Sequence, residues 1–241
     1  MLKEAIQYIA SLAVEAEKPE LVTIEGKTYC TKELDRYGKR DMAAPINGTT
    51  LTSLVDYIKE CSDELHEKMI IHILNPTTVV LCSGLLEERQ RENLFIAKAD
   101  IPYFGYGCEH EQEEFIIAMQ SCFLKNGDNE LVTKVASNIV NTQQHQYSDD
   151  GVTQQAVIKT GITSKDNAIV PNPVTLTPYR TFFEITQPES LFVFRISERN
   201  GHPFFKLVEA DGGVWRKMAT ERIRAYLKEQ LKDKPEITVL A

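Results

Sequence analysis

Apolar residues recur at helical spacing over residues 2–16, at Leu2, Ile6, Ile9, Ala10, Ala13 and Val14, with Pro19 just beyond, where helices stop. This predicts an amphipathic helix. The pattern then shifts to short extended runs, Leu21–Ile24 and Thr28–Thr31, around Glu25-Gly26-Lys27, which predicts a hairpin. The polar stretch from Lys32 to Gly48, with Gly38, Pro45 and the pair Asn47-Gly48, reads as a loop.

Leu51, Leu54, Val55, Ile58 and Cys61 mark a second helix, for which Thr49 or Thr50 supplies a hydroxyl cap. Strand-like runs at 69–75, 78–86 and 94–101 predict an antiparallel meander. The first pair is joined by Asn75-Pro76-Thr77 and the second by a strongly charged connection, Glu87 to Glu92. Helices follow at about 111–125 and 128–142, split by Asn126-Gly127, with Asp128 as the expected N-cap.

The polar segment Gln143–Gly151 reads as a linker. Beyond it, strands are expected near 152–160, 167–176, 181–186, 191–197 and 203–209. Gly212-Gly213 leads into a final helix at 214–232 that carries Trp215, Ala219, Ile223, Tyr226, Leu227 and Leu231 on one side. The tail Pro235–Leu240 reads either as a docking strand or as a frayed end.

The expected fold class is therefore α+β, with antiparallel β-meanders packed against helices. It divides into an N-terminal subdomain, 1–142, and a C-terminal meander-plus-helix, 152–241, or forms one continuous domain. Ile73–Leu81 and Ile185–Val193 match in outline, each a strand, an amide-Pro turn and a strand. A duplicated meander-plus-helix unit would explain the match and leave a cleft between pseudo-symmetric halves. The frequency of Pro-containing hairpin turns is the simpler account.

Composition narrows the class. The 241 residues are 42% hydrophobic and 26% charged, as in ordinary globular chains. No run approaches the ~20 apolar residues needed to cross a bilayer, and charges interrupt the N-terminal segment, so neither membrane insertion nor a signal peptide is expected. The five cysteines are scattered without a CxxC pair, which suits a reducing cytoplasm.

Net charge is −8, which disfavours general attraction to nucleic acid. Residues 150–241 nonetheless hold 13 basic against 11 acidic side chains, leaving 14 and 24 upstream, a net −10 there. An anionic ligand is expected in the C-terminal part.

Named catalytic signatures are missing. The chain contains no GxxxxGK[ST], HExxH, GxSxG or EF-hand loop, and Gly105-Tyr106-Gly107 lacks the third glycine of a dinucleotide fingerprint. Cys108-Glu109-His110 places three metal-capable groups together, but no converging His partner has diagnostic spacing. A loop entering a helix with acids in its first turn, Glu113 and Glu114, is the better account. No metal, cofactor or catalytic residue is assigned.

The basic, aromatic set carries the best signal. Tyr179, Arg180, Arg195, Arg199, Lys206, Trp215, Arg216 and Lys217 combine guanidinium forks suited to phosphate with rings suited to stacking. If strands 191–197 and 203–209 pair across Asn200-Gly201, Arg195 and Arg199 share one face, opposite Phe192, Phe194 and Ile196. The competing reading is an ordinary solvent face in which these cations pair with Glu184, Glu198 or Glu209.

A resemblance rests on the run Lys159–Ile162, Val170-Pro171, Val174–Leu176, Pro178-Tyr179, Phe192–Ile196, Asn200-Gly201 and Phe205–Val208, together with Thr50–Ile58 near the front. These segments resemble the YfdQ-like phage and prophage proteins, a family of unknown function, and the match weakens around residues 84–110. The resemblance implies a phage or prophage origin and expression inside a bacterial cell, and transfers no site residue.

The leading expectation is a non-enzymatic accessory protein, homo-oligomeric, that binds a small nucleotide signal or a host protein during infection. Unprotected strand edges and the Pro-rich segment 171–178 motivate the oligomer. A single-stranded nucleic-acid-binding role, suggested by Arg216, Lys217, Arg224 and Lys228, is the second reading. A metal-dependent hydrolase or nuclease using the carboxylates near Cys108–Glu114 is the third.

Overall fold

The computed structural model describes residues 2–32, 42–86, 89–139, 154–160, 164–170 and 172–241; the expected 143–151 linker lies outside them. The chain divides into two compact units, Met1–Met42 and Ala43–Ala241. The second unit spans both sides of the expected boundary between 142 and 152. The fold is α+β.

The first unit holds helix α1, Leu2–Ala16, and a hairpin of β1, Leu21–Ile24, with β2, Lys27–Cys30. Ile24 pairs with Lys27, so the loop is the two-residue Glu25-Gly26, and both residues have positive φ. That is the primed turn whose twist matches the strands, and glycine at its second position avoids the Cβ clash. No residue of α1 is buried.

In the second unit, a five-stranded sheet runs β13-β4-β5-β6-β3. It comprises β3, Ile46–Gly48; β4, Met69–Asn75; β5, Thr78–Ser83; β6, Asn93–Lys98; and β13, Ile237–Leu240. The central meander is antiparallel as expected, whereas β13 and β3 add in parallel at the two edges. The tail is thus a docked strand, and Ile46–Gly48, expected as loop, is an edge strand. Helices α2, Leu51–Glu60, and α5, Val214–Gln230, contribute Leu51, Leu54, Ile58, Ile223 and Leu227 to the core beside Met69, Ile71, Val79 and Leu81. Thr50 caps α2 by accepting the Ser53 N–H at 3.1 Å, and Glu184 accepts the Thr52 N–H at 2.9 Å. Both satisfy donors that an open helix end leaves orphaned.

A four-stranded sheet runs β10-β11-β12-β7. Its strands are β7, His110–Glu111; β10, Val174–Leu176; β11, Ser190–Arg199; and β12, His202–Glu209. Helices α3, Gln112–Ser121, and α4, Gly127–Asn138, cover one face with Phe115, Met119, Val132 and Val135 against Phe192, Phe194, Phe205 and Leu207. A separate antiparallel hairpin pairs β8, Gln154–Thr160, with β9, Ser164–Val170. The single strand expected over 167–176 is therefore two strands in different sheets.

Three local expectations are corrected. The N-cap of α4 is Asn126, which accepts the Asn129 N–H at 2.7 Å, while Asp128 reaches across to the Thr175 N–H at 2.7 Å. Helix α3 stops at Ser121 because residues 122–124 turn to pair with 177–179, through Leu124 N–H to Thr177 and Tyr179 N–H to Cys122. Residues 181–186 form no strand. The buried Gln187 amide accepts from the Arg180 N–H and donates to the Phe182 carbonyl, fixing this segment as a loop. Gln187-Pro188 is then no hairpin turn, and the proposed duplication with the Asn75-Pro76 hairpin fails.

Candidate anion-binding face

β11 and β12 meet across Asn200-Gly201, both at positive φ, so the register is set by a two-residue primed turn. Ser190, Phe192, Phe194 and Ile196 point into the core, and Leu191, Val193, Arg195, Ser197 and Arg199 point outward. The sequence-derived parity holds. On β12 the outward set is His202, Phe204, Lys206 and Val208.

Cross-strand partners turn these two lists into rungs. Val193 opposes Val208, Arg195 opposes Lys206, Ser197 opposes Phe204 and Arg199 opposes His202. Successive rungs on one face lie about 7 Å apart. The Phe204 ring is thereby flanked by an Arg–Lys rung on one side and an Arg–His rung on the other. Arg195 and Lys206 are like charges directly opposite each other on the sheet.

Glu109 fixes the hairpin end of this face. It lies 2.7 Å from the Arg199 guanidinium and accepts the Ser197 hydroxyl at 3.0 Å. The Arg199 guanidinium carbon sits 5.9 Å from the centroid of the Phe204 ring. Beside the ring opens a pocket of about 490 Å³, lined by Glu111 and Glu113 together with Arg199, His202 and Phe204. This volume suits a small molecule. Glu111 and Glu113 give this lining its acidic, acceptor-only groups.

The expected site residues do not converge on one place. Arg195, Arg199 and Lys206 share the outer face just described. Arg180 is buried at the far end of β11, where it donates to Glu209 at 2.8 Å, to Ser190 and to the Pro188 carbonyl. Its guanidinium carbon lies 4.0 Å from the Trp215 ring centroid, and that of Arg216 lies 5.0 Å from it. Nine residue steps along β11 separate Ser190 from Arg199, roughly 30 Å.

Burial draws the Arg180 guanidinium below its ordinary value, while Tyr106 and Glu209 pull it back. Trp215 is buried as well. Arg180 and Trp215 are therefore part of the interior and not a phosphate clamp. Arg216 also lies 4.0 Å from Glu209, and Lys217 pairs with Glu221 along exposed helix surface. Tyr179 is half-buried against Phe183, ring centroids 5.5 Å apart.

Phe204 and His202 were absent from the expected set. The signal was present, because a two-residue Asn-Gly turn pairs 199 with 202 and 197 with 204, which places Phe204 on the Arg face once Phe205 points inward. Of the Cys108-Glu109-His110 group, Cys108 is exposed, Glu109 belongs to Arg199, and the buried His110 lies 3.0 Å from the Gly105 carbonyl. Among the described residues, no three His, Cys, Asp or Glu side chains gather as metal ligands. No helix among them is long and apolar enough to cross a membrane.

Compared with known proteins, the chain matches no family model, no curated protein and no solved structure.

Proposed function

We propose that this chain is a non-enzymatic accessory protein that binds a small nucleotide on the outer face of the β11–β12 hairpin. The single observation carrying this reading is the order of rungs, an aromatic ring set between an Arg–Lys rung and an Arg–His rung beside a pocket of ligand size. In this arrangement the base stacks on Phe204, as bases stack on exposed sheet aromatics. The phosphate sits at Arg195 and Lys206. An exocyclic amine on the base donates to Glu111 or Glu113, which favours amine-bearing bases over uracil or thymine.

We further propose the setting that a YfdQ-like resemblance would imply, a phage- or prophage-encoded protein acting inside a bacterial cell. Sequestering a nucleotide signal needs affinity without catalysis, which agrees with the lack of a catalytic signature. Long single strands fit less well, because Glu109, Glu111 and Glu113 border the face and repel a continuing phosphate chain.

Calorimetric titration with adenosine 5′-monophosphate, uridine 5′-monophosphate and inorganic phosphate tests the reading. Binding of the adenine nucleotide, weakened in Phe204→Ala and weaker for the uracil nucleotide, is the expected result. Absence of heat with both nucleotides, together with no small molecule released in native mass spectrometry of the purified protein, would sink it.

A further inference from the structure

The first unit presents an apolar surface that none of its described residues covers. Leu2, Ile6, Ile9, Ala13 and Ala16 on α1 are spaced four, three, four and three apart, the seam of a two-stranded coiled coil. Every residue of the helix is exposed. A lone helix of 15 residues is marginal in water. Ten large apolar residues between Leu2 and Tyr29 are 42% to 78% exposed. Three of them, Leu2, Ile6 and Ile9, lie on the α1 seam.

We infer that α1 is a dimerisation helix that pairs antiparallel with α1 of a second copy of this chain. The seam itself sets the direction. Its large residues, Leu2, Ile6 and Ile9, fall in the first half and its small ones, Ala13 and Ala16, in the second. Antiparallel pairing sets Ile6 against Ala16 and Ile9 against Ala13, so each isoleucine meets a small side chain. Parallel pairing would stack isoleucine on isoleucine and leave a gap at the alanines.

Charge points the same way. Lys3 and Glu17 flank the seam at opposite ends, and Glu17 continues the helical turn by donating its N–H to the Ala13 carbonyl at 3.1 Å. In the antiparallel pair Lys3 of each copy lies beside Glu17 of the other, and the helix dipoles oppose favourably. The polar face is acidic, with Glu4 and Glu15, so an anionic membrane surface is the wrong partner. The arrangement is two-fold and closed, which yields a dimer and not a fibre.

Sedimentation equilibrium of the full chain, with no tag fused ahead of α1, tests the inference. A dimer is expected at micromolar concentration, and Ile6→Glu/Ile9→Glu should be monomeric with the main thermal unfolding transition unmoved. Lys3→Glu should weaken the dimer roughly threefold to thirtyfold through its two symmetric contacts, and Lys3→Glu/Glu17→Lys should restore it. A wild-type monomer, a dimer that survives the double glutamate substitution, or a charge swap that fails to restore association would each overturn the inference. None of these outcomes depends on whether the hairpin face binds a nucleotide.

Discussion

The Arg180 guanidinium carbon lies 4.0 Å from the centroid of the Trp215 indole, which ties the loop after β10 to the first turn of α5. A desolvated cation–π contact is worth about 2 kcal/mol, and here it is joined to a buried ion pair with Glu209 at 2.8 Å. Sequence patterning marked both residues as ligand contacts. In the fold they hold one end of the four-stranded sheet against its neighbouring helix.

Arg180→Ala is therefore expected to destabilise without altering nucleotide binding. Removing one partner of a buried pair costs about 3–5 kcal/mol, and the partial exposure of Glu209 places this case near the lower value. Thermal unfolding should fall by roughly 6–12 °C in a chain of this size. Calorimetric scanning checks the shift, and an unchanged melting temperature would contradict the structural role.

Asp211 closes the same network and gives it a pH dependence. Burial alone would raise its carboxyl, but the Ser190 hydroxyl at 2.6 Å, the Gly213 N–H at 2.9 Å and the charge of Arg180 outweigh burial and hold it below the usual carboxylate value. A depressed folded value adds stability that is complete above the unfolded pKa, near 4, and is lost as pH falls through the folded value. Asp211→Asn should be less stable than wild type at pH 7, with the difference shrinking below about pH 4. Urea titrations at neutral and acid pH measure this directly.

On the hairpin face, Phe204→Ala should weaken nucleotide binding by a factor of about 5 to 150, the range for one lost base–aromatic stack. Lys206→Ala should weaken it less and reduce the dependence on salt, since it removes one phosphate contact. Glu109→Gln should tighten binding by releasing Arg199 from its 2.7 Å pair. Titrations at two ionic strengths separate stacking from charge.

Asn126 does two jobs, capping α4 at 2.7 Å and donating to the Thr175 carbonyl at 3.1 Å, while Asp128 accepts the Thr175 N–H. Together they occupy the outer edge of β10, where an unpaired strand would otherwise invite association. Asn126→Ala should cost about 1–2 kcal/mol for the cap alone and promote concentration-dependent aggregation. Light scattering during refolding reads the second effect.

Elements with strong local signals were legible in the sequence. The helical period over 2–16, the Thr50 cap, the Asn75-Pro76 turn and the Asn-Gly turn at 200–201 each carry their instruction within a few residues. The parity of β11 followed from one observation about the turn. What escaped was set by distant partners. Gln187 reads as a turn residue until its side chain is seen replacing a strand partner for Arg180 and Phe182. Asp128 reads as a cap until Thr175 takes it. Arg180 looks like a ligand contact because sequence reports its charge and not its burial.

Leu240 pairs with His72, and Ile237 with Met69, across more than half the length of the chain. During synthesis the β4–β5–β6 meander emerges from the ribosome long before the strand that covers its edge. Until residues 237–240 arrive, the nascent protein carries an open ladder of backbone donors and acceptors along β4. A pause in decoding between β6 and β13 would lengthen that exposure, and rapid decoding there would shorten it.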